Sequence, residues 1–109
     1  MQLYGLKTCD TCRKALKQLE LAGKVPTNID VRRDGVELGD LEKFVTELGD
    51  ALINRKSTTW RQLSEQERDS DPLTLLQSNP TLMKRPVIEH DDGSLTVGWT
   101  QEVQTRVLP

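Results

Sequence analysis

Two cysteines fall three residues apart where a short apolar run gives way to a helical pattern. This junction constrains the chain more than any other feature. Leu3 to Leu6 reads as the core of a first strand, Gln2 to Leu6, and a helix over about Asp10 to Ala22 carries Ala15, Leu16 and Leu19 on one face. Cys9 and Cys12 sit between them as Cys-x-x-Cys. A strand that feeds a helix through such a pair is the layout of a thiol–disulfide site. Thr8 or Asp10 is the expected helix cap, and Gly23 suits the helix end.

The chemistry follows from position. At a helix start, unpaired backbone N–H groups and the macrodipole favour an anion, so Cys9 is the expected thiolate. Lys7 and Arg13 would support it and Asp10 would oppose it. Cys12 lies about one turn on, where it could resolve a mixed disulfide on Cys9. Two other readings stand beside this one. Half a zinc site would need more ligands, and His90 is the one histidine available. The two thiols could also be inert neighbours.

The remaining elements can be read in order. Pro26 to Val31 is a second strand, parallel to the first through a right-handed crossover. Arg32 to Gly35 turns the chain. Leu38 to about Ser78 is helical in pattern: Asp40 caps a stripe of Leu41, Phe44, Val45 and Leu48, and Gly49 ends it. Thr58 or Thr59 starts a short helix with Trp60 and Leu63. Ser64 to Glu67 is a capping box, and Asp71-Pro72 opens a further helix. Pro86 to Glu89 and Leu95 to Gly98 form a hairpin through Asp92-Gly93, and Thr100 caps a closing helix, Gln101 to Leu108. The order β-α-β, helical block, β-β-α is α/β with thioredoxin-like topology. It predicts one domain of 109 residues with a core of 1–35 and 80–109 and a helical insertion of about 38–79.

Charge and composition narrow the function classes. The net charge of -2 gives no footprint for direct nucleic-acid binding. No apolar run approaches the roughly 18–20 residues needed to span a membrane. The N-terminus has no signal-peptide pattern, so a cytoplasmic protein is expected, with cysteines that are reactive rather than a permanent bridge.

Two further stretches hold candidate residues. Arg85-Pro86 opens a strand; thioredoxin-like folds place a cis-proline beside the active thiol, which would bring Arg85 near Cys9. On composition alone an exposed arginine before a strand is the commoner reading. Arg55-Lys56-Ser57-Thr58-Thr59-Trp60 is a basic, hydroxyl-rich stretch able to meet an anion, although such runs are commonly solvated loops. His90, beside two aspartates, reads as an exposed surface histidine, and Trp60 and Trp99 as packing residues.

Four blocks together resemble a known family: Leu3 to Ala15, Leu52 to Leu63, Leu82 to Ile88, and Val97 to Trp99. The chain resembles the arsenate reductase-related thioredoxin-fold group, which includes glutaredoxin-coupled arsenate reductases, YffB proteins and Spx regulators. It looks most like the YffB branch through Arg55 to Leu63. The resemblance implies a thioredoxin-like fold with a mixed four-stranded sheet and an additional helical subdomain. It places the catalytic cysteine on Cys9 and two oxyanion-holding arginines on Arg55 and Arg85. A third family arginine would fall in Leu95 to Trp99, which has none, and this weighs against arsenate. The implied activity is a thiol-dependent reductase with no bound cofactor or metal, glutathione as co-substrate and a small anionic or thiol substrate. Cys12 shares the Spx pattern. It implies the alternative of a redox-sensing regulator that binds RNA polymerase through the C-terminal domain of its alpha chain. A glutaredoxin-coupled arsenate reductase is the further alternative.

Overall fold

The computed structural model describes residues 1–108. The chain divides into two compact units: Met1–Asp34 with the chain from Arg85 onward, and Gly35–Lys84.

The first unit is built on a mixed four-stranded sheet. It contains β1 (Gln2–Gly5), α1 (Asp10–Leu21), β2 (Thr27–Asp30), β3 (Val87–Glu89), β4 (Leu95–Val97) and α6 (Gln101–Val107), with α2–α5 belonging to the other unit. The strand order is β2-β1-β3-β4. β1 runs parallel to β2 with Leu3 opposite Asn28, and antiparallel to β3 with Leu3 opposite Ile88. β3 and β4 form the antiparallel hairpin. This is the expected β-α-β and β-β-α order, with strand ends trimmed by one or two residues.

One core cluster joins the sheet to α1 and α6. Leu3 and Ile88 are cross-strand neighbours, and they pack with Ala15 and Leu19 of α1, with Trp99, and with Val107 of α6. Each large apolar side chain buried there contributes about 1.5–3 kcal/mol. Trp99 Nε1 donates to Gln18 Oε1 at 2.6 Å, and Gln104 Nε2 donates to the Trp99 carbonyl at 3.1 Å. The indole is thus a packed core residue with its polar edge satisfied, and it ties β4 and α6 to the helix that follows Cys9.

The ends of α1 position the site. Its C-terminus closes as a Schellman motif, with Lys24 N–H on the Leu19 carbonyl and Gly23 N–H on that of Glu20, both at 3.0 Å. Gly23 takes the positive φ of 82° that this motif requires. The N-terminus differs from expectation. Neither Thr8 nor Asp10 caps the helix. Cys9 does, in an extended conformation with its Sγ accepting from Cys12 N–H. Asp10 is already the first helical residue. A cap side chain must leave an extended residue and reach back to the third helical amide, and Cys9 holds that place.

The second unit holds α2 (Leu38–Leu48), α3 (Thr58–Gln62), α4 (Glu65–Arg68) and α5 (Pro72–Ser78), with 3-10 turns at Gly49–Leu52 and Pro80–Leu82. Leu41 and Phe44 of α2 and Leu75 and Leu76 of α5 are buried, and the two helices touch. Ile53 bridges Met83, flanked by bonds from Asn54 N–H to the Leu82 carbonyl and from Lys84 N–H to the Leu52 carbonyl. The Ser64–Glu67 capping box forms in both directions, and Asp71 caps α5. One expected cap is corrected. α2 starts at Leu38 behind an extended Glu37, which leaves Asp40 inside the first turn, where its charge still suits the dipole. α3 starts at Thr58 as expected, capped by Ser57, whose Oγ accepts from Trp60 N–H at 3.1 Å, and Leu63 is its C-cap.

Candidate active site

Cys9 leaves the end of β1 through a two-residue turn. Its N–H bonds the Leu6 carbonyl at 3.1 Å. Lys7 N–H donates to Asp30 Oδ2 at 3.2 Å, while Asp30 Oδ1 accepts from Arg32 N–H and Arg33 N–H at 2.9 Å each. One carboxylate therefore fastens the turn before Cys9 to the turn after β2. The Asp30 carboxyl is held below the usual range, first by the bond from the Arg33 backbone and then by those from Lys7 and Arg32. Asp30 was not singled out from the sequence. Its signal there is weak, because an aspartate at a strand end next to Arg-Arg reads as an ordinary turn residue.

The thiol pair is asymmetric. Cys9 is half-buried and Cys12 is 4% exposed, and both carry free thiols. Burial pushes the Cys9 thiol up. The hydrogen bonds from the Cys12 side chain and from Cys12 N–H, and then the hydrogen bond and charge of Arg85, outweigh it and hold Cys9 below the ordinary thiol range. Burial first, and then its bond to Cys9, push the Cys12 thiol up to about 12. Of the two thiols, Cys9 is therefore the one that ionises first.

Arg85 is the cation that acts on Cys9, and its Nε is buried. It precedes Pro86 through a cis peptide bond, and the Pro86 carbonyl accepts from Gly98 N–H at 2.9 Å. Arg85 and Pro86 therefore belong to the same unit as the thiol pair, at the entrance to β3.

The other expected helpers have contacts of their own. Arg13 is exposed and its guanidinium pairs with Asp10, one turn earlier on α1, so the expected support and the expected opposition to Cys9 meet each other. Lys7 is exposed, and its backbone, held by Asp30, is what shapes the turn. Arg55 lies in the second unit. There it reaches Asp50 at 3.3 Å, and its guanidinium carbon lies 5.4 Å from the Trp60 ring centroid. Arg68 lies at the same distance from that ring and donates from Nε to the Trp60 carbonyl at 3.1 Å. Trp60 is thus gripped by two arginines. His90 is half-buried rather than exposed, with Nε2 3.1 Å from Thr96 Oγ1 across the hairpin. Burial holds its pKa below the ordinary histidine range.

A pH dependence follows from the thiol asymmetry. The thiolate is the alkylated species, and a depressed pKa keeps it populated below the ordinary thiol value of about 8.5. Iodoacetamide should modify Cys9 first, with a rate that falls only as the pH drops through the lowered pKa. Cys12 should stay unmodified in the folded protein at neutral pH. Peptide mapping of the alkylated protein across pH 4–10 checks both statements. A Cys9 midpoint at the ordinary thiol value would contradict this electrostatic account.

No group of histidine, cysteine and carboxylate side chains among the described residues could hold a metal ion. No helix among them is long and apolar enough to cross a membrane.

Comparison with known proteins matches residues 4–106 to the ArsC family. The chain is 42% identical over 105 residues to an uncharacterized protein of Haemophilus influenzae, covering 92% of this chain and 91% of that one. It is 32% identical over 114 residues to the global transcriptional regulator Spx of Listeria innocua, covering 98% and 86%. The solved structure of a YffB protein superposes with a TM-score of 0.87 at 30% identity, covering 98% and 97% of the two chains.

Proposed function

The chain belongs to the ArsC family, with the thioredoxin-like fold of its structural neighbours, and on that premise we propose that it is a thiol-dependent reductase in which Cys9 is the nucleophile and glutathione the reductant. The observation that carries this reading is Cys9 at the start of α1, its Sγ accepting from Cys12 N–H and its pKa lowered by Cys12 and Arg85.

In the proposed cycle the Cys9 thiolate attacks the glutathione sulfur of a mixed disulfide. One S–S bond breaks, the substrate leaves as a thiolate, and a Cys9–glutathione disulfide forms. A second glutathione thiolate then attacks that glutathione sulfur, giving oxidised glutathione and returning the Cys9 thiolate. Alternatively Cys12 attacks Cys9 Sγ and expels glutathione as its thiolate, and the resulting Cys9–Cys12 disulfide is reduced by two further glutathione molecules, which leave as oxidised glutathione. Arg85 offers a planar pair of donors to a carboxylate of the incoming tripeptide. The family pattern assigns Arg55 the same task, although in its own unit it bonds Asp50 and stacks on Trp60. Two cysteines spaced as a reactive pair suit a reducing compartment, and we take the cytoplasm as the place of action.

A coupled assay with glutathione, glutathione reductase and NADPH tests the reading. A glutathionylated peptide should be reduced well above the uncatalysed rate. Arsenate in the same assay should not be, because Leu95 to Trp99 lacks an arginine. No catalysed oxidation of NADPH with any disulfide substrate would remove the enzyme reading.

The Spx relatives and the Cys9/Cys12 pair favour a second reading, a redox-sensing regulator that binds the C-terminal domain of the RNA polymerase alpha chain. Its test is a pull-down with that domain, comparing oxidised and reduced protein. Binding in neither state would eliminate it.

A further inference from the structure

The end of β1 meets the thiol pair at Gly5. A Cβ built on Gly5 would stand 2.7 Å from Cys12 Sγ and 3.1 Å from Cys12 Cβ. The first distance is far inside van der Waals contact. Gly5 does not have a positive φ, so its backbone would accept any residue. What the position cannot accept is the volume of a side chain. We propose that Gly5 is a positioning residue for the Cys9 thiolate: the missing side chain makes the space in which the Cys12 sulfur sits, and from that space Cys12 hydrogen-bonds Cys9.

The strand has no freedom to move away from such a clash. Gly5 is in register with Asp30 across the parallel β1–β2 pair, and its carbonyl accepts from Val31 N–H at 2.9 Å. Asp30 also holds the Lys7 turn. On the other side Cys12 is part of α1, anchored through Ala15 and Leu19 in the core. Its own N–H is engaged with Cys9 Sγ at 3.4 Å. With both backbones fixed, a methyl group at position 5 must displace the Cys12 thiol itself, on the residue whose N–H donates to Cys9 Sγ.

This inference rests on Cys9 being the reacting thiolate, but its test needs no substrate. The rate of Cys9 alkylation by iodoacetamide is measured against pH in the full chain for wild type, Gly5→Ala, Cys12→Ala and the double variant, with folding followed by circular dichroism. Gly5→Ala should move the alkylation midpoint up by about one pH unit, slowing the reaction roughly tenfold below both midpoints. Cys12→Ala should move it in the same direction. Gly5→Ala should then add nothing in the Cys12→Ala background, because residues that act as one unit are not additive.

A Gly5→Ala variant that unfolds while the double variant folds would also support the contact. An unmoved midpoint in folded Gly5→Ala would overturn the proposal, as would an equal further shift on top of Cys12→Ala, or loss of fold in the double variant. If the alkylation results agree and the glutathione assay shows no turnover, the reductase reading fails and the role of Gly5 stands.

Discussion

Cys9→Ser should lower glutathione-coupled turnover by on the order of a thousandfold or more while leaving the thermal transition nearly in place. A serine hydroxyl is not ionised at neutral pH, so the helix start, the Cys12 bonds and Arg85 would have no anion to hold. The oxygen can still accept from Cys12 N–H, since serine is a preferred cap, and the helix loses no partner. Catalysis and capping therefore separate at this residue. Initial rates in the NADPH-coupled assay, together with a melting curve, measure the two. Retention of full activity by a folded Cys9→Ser protein would show that Cys9 is not the nucleophile.

Arg85→Ala should reduce kcat/KM about ten- to a hundredfold, because it removes a charge-assisted bond to the thiolate and a donor pair for the substrate carboxylate together. These two effects can be told apart. Loss of the thiolate partner raises the midpoint of Cys9 alkylation, with no substrate present. Loss of the carboxylate partner raises KM for glutathione-bearing substrates and leaves alkylation alone. Arg85→Lys should keep much of the first effect and little of the second, since an ammonium supplies charge without the planar fork. Wild-type kinetics in Arg85→Ala would mean that the arginine only packs at the entrance to β3.

Much of this architecture could be read before any coordinates. Gln2 to Leu6, the helix after Asp10 and the Asp-Gly hairpin follow from local pattern and turn chemistry, and each formed within one or two residues of expectation. The capping box at Ser64 and the Asp71-Pro72 start are equally local, and the structure contains both. The pairing of Arg13 with Asp10 was also within reach, because residues three apart on a helix face each other.

What remained hidden depends on tertiary contact. Cap preferences rank hydroxyl, amide and carboxylate side chains, so Thr8 and Asp10 drew attention away from the thiol that does the capping. Gly5 carried a faint signal, since glycine inside a strand commonly marks a close approach. Only the fold shows that the approaching group is the Cys12 sulfur. His90 looked exposed among polar turn residues, and its bond to Thr96 depends on the hairpin closing. Arg85 was legible only through Pro86 and the family resemblance, because composition alone reads it as an exposed arginine. Its bearing on Cys9 comes from the antiparallel entry of β3 next to β1.

Cys9 Sγ is the atom on which we propose that the substrate's disulfide is exchanged. The most direct measurement is the mass of the reaction intermediate, trapped by acid quench after the reduced protein meets a glutathionylated peptide and then mapped to a residue. One added glutathione is expected on the peptide containing Cys9, or a Cys9–Cys12 disulfide that has succeeded it, and neither adduct in Cys9→Ser. Glutathione carried on Cys12 with Cys9 left free would contradict it.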